Sequence, residues 1–143
     1  MQDVRWKQRY ENYTNVLHLL NSSLRDRSPG DFSELEQIGL AKSFELSFEL
    51  LWKLIKDYLE HEEIEIELIS PKNILKAAAA KGLLQLIDAD GDILIKAYKS
   101  RNELVHVYDY KNFSQILTDI KESFLPEMLK VDDYFKVLMS NDE

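Results

Sequence analysis

Residues 43–53 of the chain read Ser43-Phe44-Glu45-Leu46-Ser47-Phe48-Glu49-Leu50-Leu51-Trp52-Lys53. At the ~100° per residue of an α-helix, this stretch and its extensions have one apolar face, formed by Ala41, Phe44, Phe48, Leu51, Trp52, Ile55 and Leu59. A second apolar stripe lies on the far side: Leu46, Leu50 and Leu54. A helix that is apolar on two sides is buried on two sides, which predicts the central helix of a bundle. The second stripe is also compatible with a dimer interface.

The central helix extends outward in both directions. It begins near Ser33, which can cap it, and Glu36 stands three residues on, as in a capping box. It runs to about His61. A preceding helix over residues 4–24 is predicted by apolar residues three and four apart: Trp6, Tyr10, Tyr13, Leu17, Leu20 and Leu24. A turn between the two helices follows from the Ser-Pro-Gly-Asp sequence at residues 28–31.

After the central helix the chain passes through a connector into a third helix. Residues 62–69 alternate polar and apolar side chains like a strand, but one short strand would have no partner, so we expect an extended connector. Ser70 as N-cap and Pro71 at the first helical position then predict a helix start. Gly82 is a suitable C-terminal cap for that helix.

Two more helices complete the predicted fold. The fourth runs from Asp90–Asp92 to about His106, and the fifth from Asn112 to about Met139, with a kink or restart at Pro126. Short connections between such helices favour antiparallel neighbours. We therefore predict an all-α protein, an up-and-down antiparallel four- or five-helix bundle, with residues 1–143 forming a single domain.

The composition narrows the class of protein. Of the 143 residues 45% are hydrophobic, which is enough for a core, and there is no cysteine, which removes disulfides, thiol nucleophiles and cysteine metal sites. No apolar run approaches the ~18 residues of a membrane span, and the first residues lack an apolar signal region. We expect a cytoplasmic protein that makes no membrane contact.

The net charge of −8 is unevenly distributed along the chain. Residues 1–71 have a net charge of −6 and residues 112–143 a net charge of −4, whereas residues 72–111 carry 7 basic and 5 acidic groups, net +2. A uniformly acidic surface repels phosphate backbones. The positive stretch is therefore where we would look for a nucleic-acid site, although chance alone would also produce such an imbalance.

The positive stretch contains the segment Arg101-Asn102-Glu103-Leu104-Val105-His106-Val107-Tyr108. Arg101 falls in the middle of an apolar face of the fourth helix, formed by Leu94, Ala97, Tyr98, Leu104 and Val105. An unpaired buried charge is costly, so Arg101 needs a carboxylate partner, a polar cleft or a ligand phosphate. Beside it, Asn102, His106 and Asp109 are spaced i, i+4 and i+7 and form a polar stripe.

These side chains suit cleavage of the RNA backbone. The imidazole of His106 can transfer a proton near neutral pH, and Arg101 can stabilise charge that grows on the phosphate oxygens, with Asn102 and Asp109 in support. Because the RNA 2′-hydroxyl is the nucleophile, the chemistry calls for no metal and no cofactor. A purely structural alternative remains open, in which Arg101 pairs with a carboxylate of the second helix, Glu45 or Glu49, and His106 helps to end its helix.

The segment also resembles a known signature. Arg101, His106 and Tyr108 match the R-x-x-x-x-H-x-Y pattern of HEPN ribonuclease toxins, and Asn102 matches the polar residue that often follows the arginine. Residues 43–53 look like the helix-two motif of the nucleotidyltransferase substrate-binding-like proteins. The Ser-Pro helix at residues 70–83 and the Phe-Leu-Pro turn at residues 124–126 are similar too.

The resemblance implies a homodimeric helical bundle in which two R-x-x-x-x-H motifs face each other across a cleft. It implies metal-independent cleavage of RNA with Arg101 and His106 as catalytic residues. It also implies a partner, a minimal nucleotidyltransferase antitoxin that silences the protein by transferring AMP to Tyr108. A different interpretation of the same family makes the protein a non-catalytic substrate-binding subunit of a two-component nucleotidyltransferase.

Overall fold

A computed structural model describes residues 4–104 and 110–141, with no side-chain description for residues 110–112. The α-helices are α1 (Arg5–Leu24), α2 (Glu34–His61), α3 (Pro71–Ala80), α4 (Leu83–Ile87), α5 (Gly91–Leu104), α6 (Tyr110–Asp119) and α7 (Leu125–Asn141). A 3₁₀ turn at Pro29–Asp31 precedes α2, and a π-helical turn at Ile120–Phe124 joins α6 to α7. Since these residues form helices and no strand, the prediction of an all-α bundle is confirmed. None of the described helices is both long and apolar enough to cross a membrane.

The predicted central helix is confirmed as α2. Its two apolar sides are enclosed by the rest of the chain, with five apolar side chains that have no exposed surface: Phe44, Phe48, Leu51, Leu54 and Ile55. The helices α1, α3, α5 and α6 all pack against it. Burial of each such side chain stabilises the fold by roughly 1.5–3 kcal/mol relative to leaving it in water.

Side-chain contacts show how α1 runs relative to its neighbours. Arg9 pairs with the buried carboxylate of Asp57 at 3.0 Å, so the start of α1 lies beside the end of α2 and the two helices are antiparallel. The phenol of Tyr13 donates a hydrogen bond to the carbonyl of Met128, and the Trp6 ring lies 5.9 Å from that of Phe135. Residue numbers rise along α1 as they fall along α7, so this pair is antiparallel as well.

The predicted helix caps are present. The hydroxyl of Ser33 accepts from the backbone N–H of Glu36 at 3.1 Å, and the Glu36 carboxylate accepts from the backbone N–H of Ser33 at 2.9 Å. These two bonds lower the Glu36 pKa below its ordinary value. Ser70 caps α3 through the N–H of Asn73 at 3.2 Å, and Gly82 follows that helix in the left-handed conformation with φ of 82°.

Helix α4 is absent from the sequence prediction. It covers only Leu83–Ile87, which is too short to show a helical period, and three of its five residues are buried: Leu83, Leu84 and Ile87. It ends at Asp88, whose φ of 64° is left-handed, a conformation that Asp tolerates better than most residues. The last helical region also begins earlier than predicted, at Tyr110 and not at Asn112.

The helical region that contains Pro126 runs without a break from α6 through the π-helical turn into α7. Proline has no N–H to donate to the carbonyl four residues earlier, here that of Glu122, and its ring crowds that carbonyl. The structure accommodates it with the π-helical turn at Ile120–Phe124, immediately before the proline-containing first turn of α7. A widened turn leaves room where an α-helical turn would clash. The predicted kink is thus a local change of helix type.

The second apolar stripe of α2 is largely explained by the core of the single chain. Leu54 is fully buried and Leu50 is half-buried, so only Leu46 keeps 50% of its surface exposed. The apolar surface that α2 does expose lies further toward its start, at Leu35 (78% exposed) and Ile38 (51%). Leu46 lies on the same side of α2, about two turns after Ile38 and beyond the exposed Lys42, and we refer to Leu35, Ile38 and Leu46 as the exposed strip.

We predict that Ser33→Ala destabilises the protein by about 1 kcal/mol, because the N–H of Glu36 loses its acceptor at the start of the central helix. Urea unfolding followed by circular dichroism measures the difference. Ser23→Ala is the matched control, since the Ser23 hydroxyl only bonds back to the Leu19 carbonyl within α1. Equal stability of the two variants would contradict the capping role.

Candidate functional site

Helix α5 presents Arg101 at the edge of the core. The Asp90 carboxylate caps this helix by accepting from the backbone N–H groups of Asp92 at 2.9 Å and Ile93 at 3.2 Å. Leu94, Ala97 and Leu104 are buried on one face of the helix. Arg101 lies on the same face, as the sequence predicts, but its side chain keeps 28% of its surface exposed. The guanidinium is therefore neither in the core nor free in solvent.

An aromatic contact holds this part of α5 against α2. The rings of Phe48 and Tyr98 are stacked with centroids 6.4 Å apart and planes inclined by 30°. Because Phe48 is fully buried, it is a fixed support for Tyr98. Glu49 is the next residue on α2, and Arg101 lies three residues beyond Tyr98. The stacking thus brings these two charged side chains together.

Arg101 and Glu49 form an ion pair. The Arg101 Nη2 atom lies 2.6 Å from the Glu49 Oε2 atom, which is a short charge-assisted hydrogen bond, and each side chain is 28% exposed. Of the two carboxylates considered from the sequence, Glu49 is therefore the partner. Glu45 instead pairs with Lys42 at 3.1 Å. The pair joins residues that are 52 positions apart in the chain.

Two further donors from α2 converge on the same carboxylate. The indole N–H of Trp52 donates to Glu49 Oε2 at 3.0 Å, and the Lys53 ammonium lies 3.1 Å from Glu49 Oε1. Partial burial tends to raise the Glu49 pKa, but the hydrogen bonds from Trp52 and Lys53 and the charge of Arg101 outweigh it. The pKa of Glu49 is therefore below its ordinary value, and the carboxylate is ionised at neutral pH.

The predicted site residues divide into two groups. Arg101 and Asn102 are described, and the Asn102 side-chain oxygen accepts a long hydrogen bond of 3.3 Å from Arg101 Nη1 while remaining exposed. His106, Tyr108 and Asp109 lie outside the described residues. Of the R-x-x-x-x-H-x-Y pattern, the structure therefore describes the first four positions, residues 101–104, and the residues around Arg101.

Sequence reasoning missed the roles of Trp52 and Lys53. The sequence pattern places Trp52 on the apolar face of α2, where its ring is partly buried, but it does not show that the indole N–H donates to Glu49. The pattern gives no role to Lys53. A signal was present, because residues three and four positions after Glu49 share its side of a helix and can reach its carboxylate.

A comparison with protein-family models matches residues 8–137 to the family described as nucleotidyltransferase substrate binding protein like. The chain belongs to this family. The match spans α1 to α7, so it includes the α2 motif, Glu49 and Arg101. A search of curated proteins finds no significant match. The family description confirms the resemblance at the level of the nucleotidyltransferase substrate-binding-like proteins.

Proposed function

We propose that this family member is a metal-independent RNA endonuclease whose partner nucleotidyltransferase silences it by transferring AMP to Tyr108. The observation that carries the proposal is the placement of Arg101. Its guanidinium lies at the rim of the core and 28% exposed, with one Nη held by Glu49 at 2.6 Å. An arginine anchored in this way can present its remaining N–H groups to a phosphate.

The proposed reaction needs only proton transfer and charge stabilisation. The RNA 2′-oxygen loses its proton and attacks the adjacent phosphorus, the bond from phosphorus to the 5′-oxygen breaks, and the 5′-oxygen takes a proton. The products are a 2′,3′-cyclic phosphate and a 5′-hydroxyl. His106 is the proton-transfer group, and Arg101 stabilises the negative charge that grows on the non-bridging oxygens.

A homodimer would complete this site. One His106 cannot easily serve as base and acid on opposite sides of the same phosphorus, whereas two copies in one cleft could divide these tasks. The exposed strip formed by Leu35, Ile38 and Leu46 fits a self-interface. Leu46 is one helical turn before Glu49, so a two-fold copy on this strip would bring two Arg101 sites near each other.

The family description and the place of Tyr108 in the H-x-Y pattern support the proposed regulation. The family description names a nucleotidyltransferase, which we take to be the partner. In the proposed step the Tyr108 oxygen attacks the α-phosphorus of ATP and pyrophosphate leaves. The resulting AMP group would place a phosphate close in sequence to His106 and Arg101, where it would compete with RNA by charge and by bulk.

A second candidate function is a non-catalytic substrate-binding subunit of the nucleotidyltransferase. The family description favours it directly, and the Arg101–Glu49 pair would then be a structural ion pair or a contact for the substrate. Both candidates share the bundle and the partner. Cleavage of RNA by the purified protein in EDTA, and its loss with His106→Ala, separates them.

We predict that Arg101→Ala and His106→Ala each lower the rate of RNA cleavage in EDTA by ~10²–10⁴-fold, because one removes a charge-stabilising donor and the other the proton-transfer group. Arg101→Lys should also fail, since a point charge cannot replace a planar fork. Cleavage rates and melting temperatures are measured on the same preparations.

Lys99→Ala is the matched control for this series, because it removes an exposed positive charge from the same helix, two residues before Arg101. It should cleave RNA at nearly the wild-type rate. Normal cleavage by Arg101→Ala with a lowered melting temperature would instead assign Arg101 a purely structural role.

We predict that co-expression with the neighbouring nucleotidyltransferase adds AMP to Tyr108, visible as an added mass on the intact protein and on the peptide that contains residue 108. Tyr108→Phe should then stay toxic to cells even with the partner present, because no phenol is left to modify. Tyr110→Phe is the control, since it lies outside the H-x-Y pattern. Continued neutralisation of Tyr108→Phe without an adduct would mean that the partner acts by binding alone.

We predict that the wild-type protein is a dimer by light scattering at micromolar concentration and that the double variant Ile38→Glu, Leu46→Glu is a monomer. The carboxylates would be desolvated in the proposed interface, which is unfavourable. Leu86→Glu is the control, because Leu86 is equally apolar and 71% exposed on a different helix. A wild-type monomer with full ribonuclease activity would refute the dimer.

A further inference from the structure

The Glu49 carboxylate is surrounded by three hydrogen-bond donors. Its Oε2 accepts from Arg101 at 2.6 Å and from Trp52 at 3.0 Å, and its Oε1 lies 3.1 Å from the Lys53 ammonium. Trp52 and Lys53 belong to the same helix as Glu49, so α2 by itself restrains the carboxylate. Arg101 comes from α5 and meets an acceptor that is already in place.

Arg101 uses few of its donors within the described part of the chain. A guanidinium has five N–H groups in a rigid planar fork. Among residues 4–104 and 113–141, Glu49 accepts from Nη2 at 2.6 Å and Asn102 accepts from Nη1 at 3.3 Å. Because the fork is rigid, a short contact on one nitrogen also restricts the directions in which the other N–H groups can point.

We infer that Glu49 is the positioning residue for Arg101. Its carboxylate holds the guanidinium plane in the orientation in which the remaining N–H groups meet the scissile phosphate. The inference rests on the proposed ribonuclease activity and adds a residue to that site. Glu49 does not touch the reacting atoms, and Trp52 and Lys53 act one step further away, by holding Glu49.

A positioning carboxylate has two opposite effects on the reaction. It fixes the geometry of a donor that must match the transition state, and small errors in such geometry slow chemistry strongly. It also places a negative charge beside the RNA phosphate, which weakens binding of the substrate. Glu49 should therefore raise kcat while it raises KM. A residue with a merely structural role would not divide the two constants in this way.

The test is Glu49→Gln, which keeps the shape of the side chain and removes its charge. Cleavage of a defined RNA is measured in EDTA, and binding is measured with the same sequence made of 2′-O-methyl nucleotides, which lack the attacking hydroxyl. We expect kcat to fall about 10-fold or more, with KM unchanged or lower and the 2′-O-methyl RNA bound as tightly or more tightly. Arg101→Ala should instead lose both cleavage and affinity.

Two further variants support this experiment. Glu45→Gln is the matched control, because Glu45 lies one turn earlier on α2 and pairs with Lys42 at 3.1 Å, away from Arg101. It should leave kcat unchanged. If Glu49→Gln fails to fold, Trp52→Phe keeps a smaller aromatic ring against the core and removes the N–H that holds Glu49. It should lower kcat by a smaller factor without raising KM.

The results that would overturn the positioning role differ from the result that would overturn the proposed function. An active wild-type protein whose kcat is matched by Glu49→Gln overturns the positioning role alone, and so does a lowered melting temperature with unchanged kcat. An equal loss in Glu45→Gln overturns it too, since the effect would then be one of overall charge. A wild-type protein that leaves RNA intact overturns the proposed function, and the positioning role with it.

Discussion

Phe44, Phe48, Leu51, Leu54 and Ile55 have no exposed surface, so α2 must be covered by other helices on more than one side. This requirement places α1, α3, α5 and α6 around it. The polar side chains of α2 then have only narrow strips on which to lie. Glu49, Trp52 and Lys53 occupy one such strip, at the boundary between α2 and α5. The site therefore depends on how the central helix is buried.

The ion pair between Arg101 and Glu49 keeps two charged side chains at the edge of the core and partly exposed. An arginine on a buried helix face must be paired, because an isolated charge is expensive to remove from water. Here the partner is a carboxylate that is itself restrained by two donors, and both ionised side chains remain partly solvated. The guanidinium of Arg101 is therefore paired and still reachable from solvent.

The sequence predicted those features that depend on local chemistry. The capping box at Ser33 and the Ser-Pro start of α3 each require only a few neighbouring residues, and both are present. Helix α4 was missed because five residues show no period, and the π-helical turn because it answers a steric problem at Pro126 that has several solutions. The sequence narrows the ion-pair partner of Arg101 to two carboxylates of the central helix, Glu45 and Glu49. The choice of Glu49 depends on the register between α2 and α5, which the sequence pattern does not give.

The π-helical turn at Ile120–Phe124 keeps one face of a long helical region in phase with the core. One set of buried residues there recurs every four positions, at Ile116, Ile120, Phe124 and Met128. In an α-helix each step of four overshoots a full turn by ~40°, so three steps would rotate Met128 ~120° away from Ile116. One widened turn takes back ~100° of that drift. A chain one residue shorter at this point would rotate the apolar side of α7 toward water, so the packing of the core constrains the length of this turn.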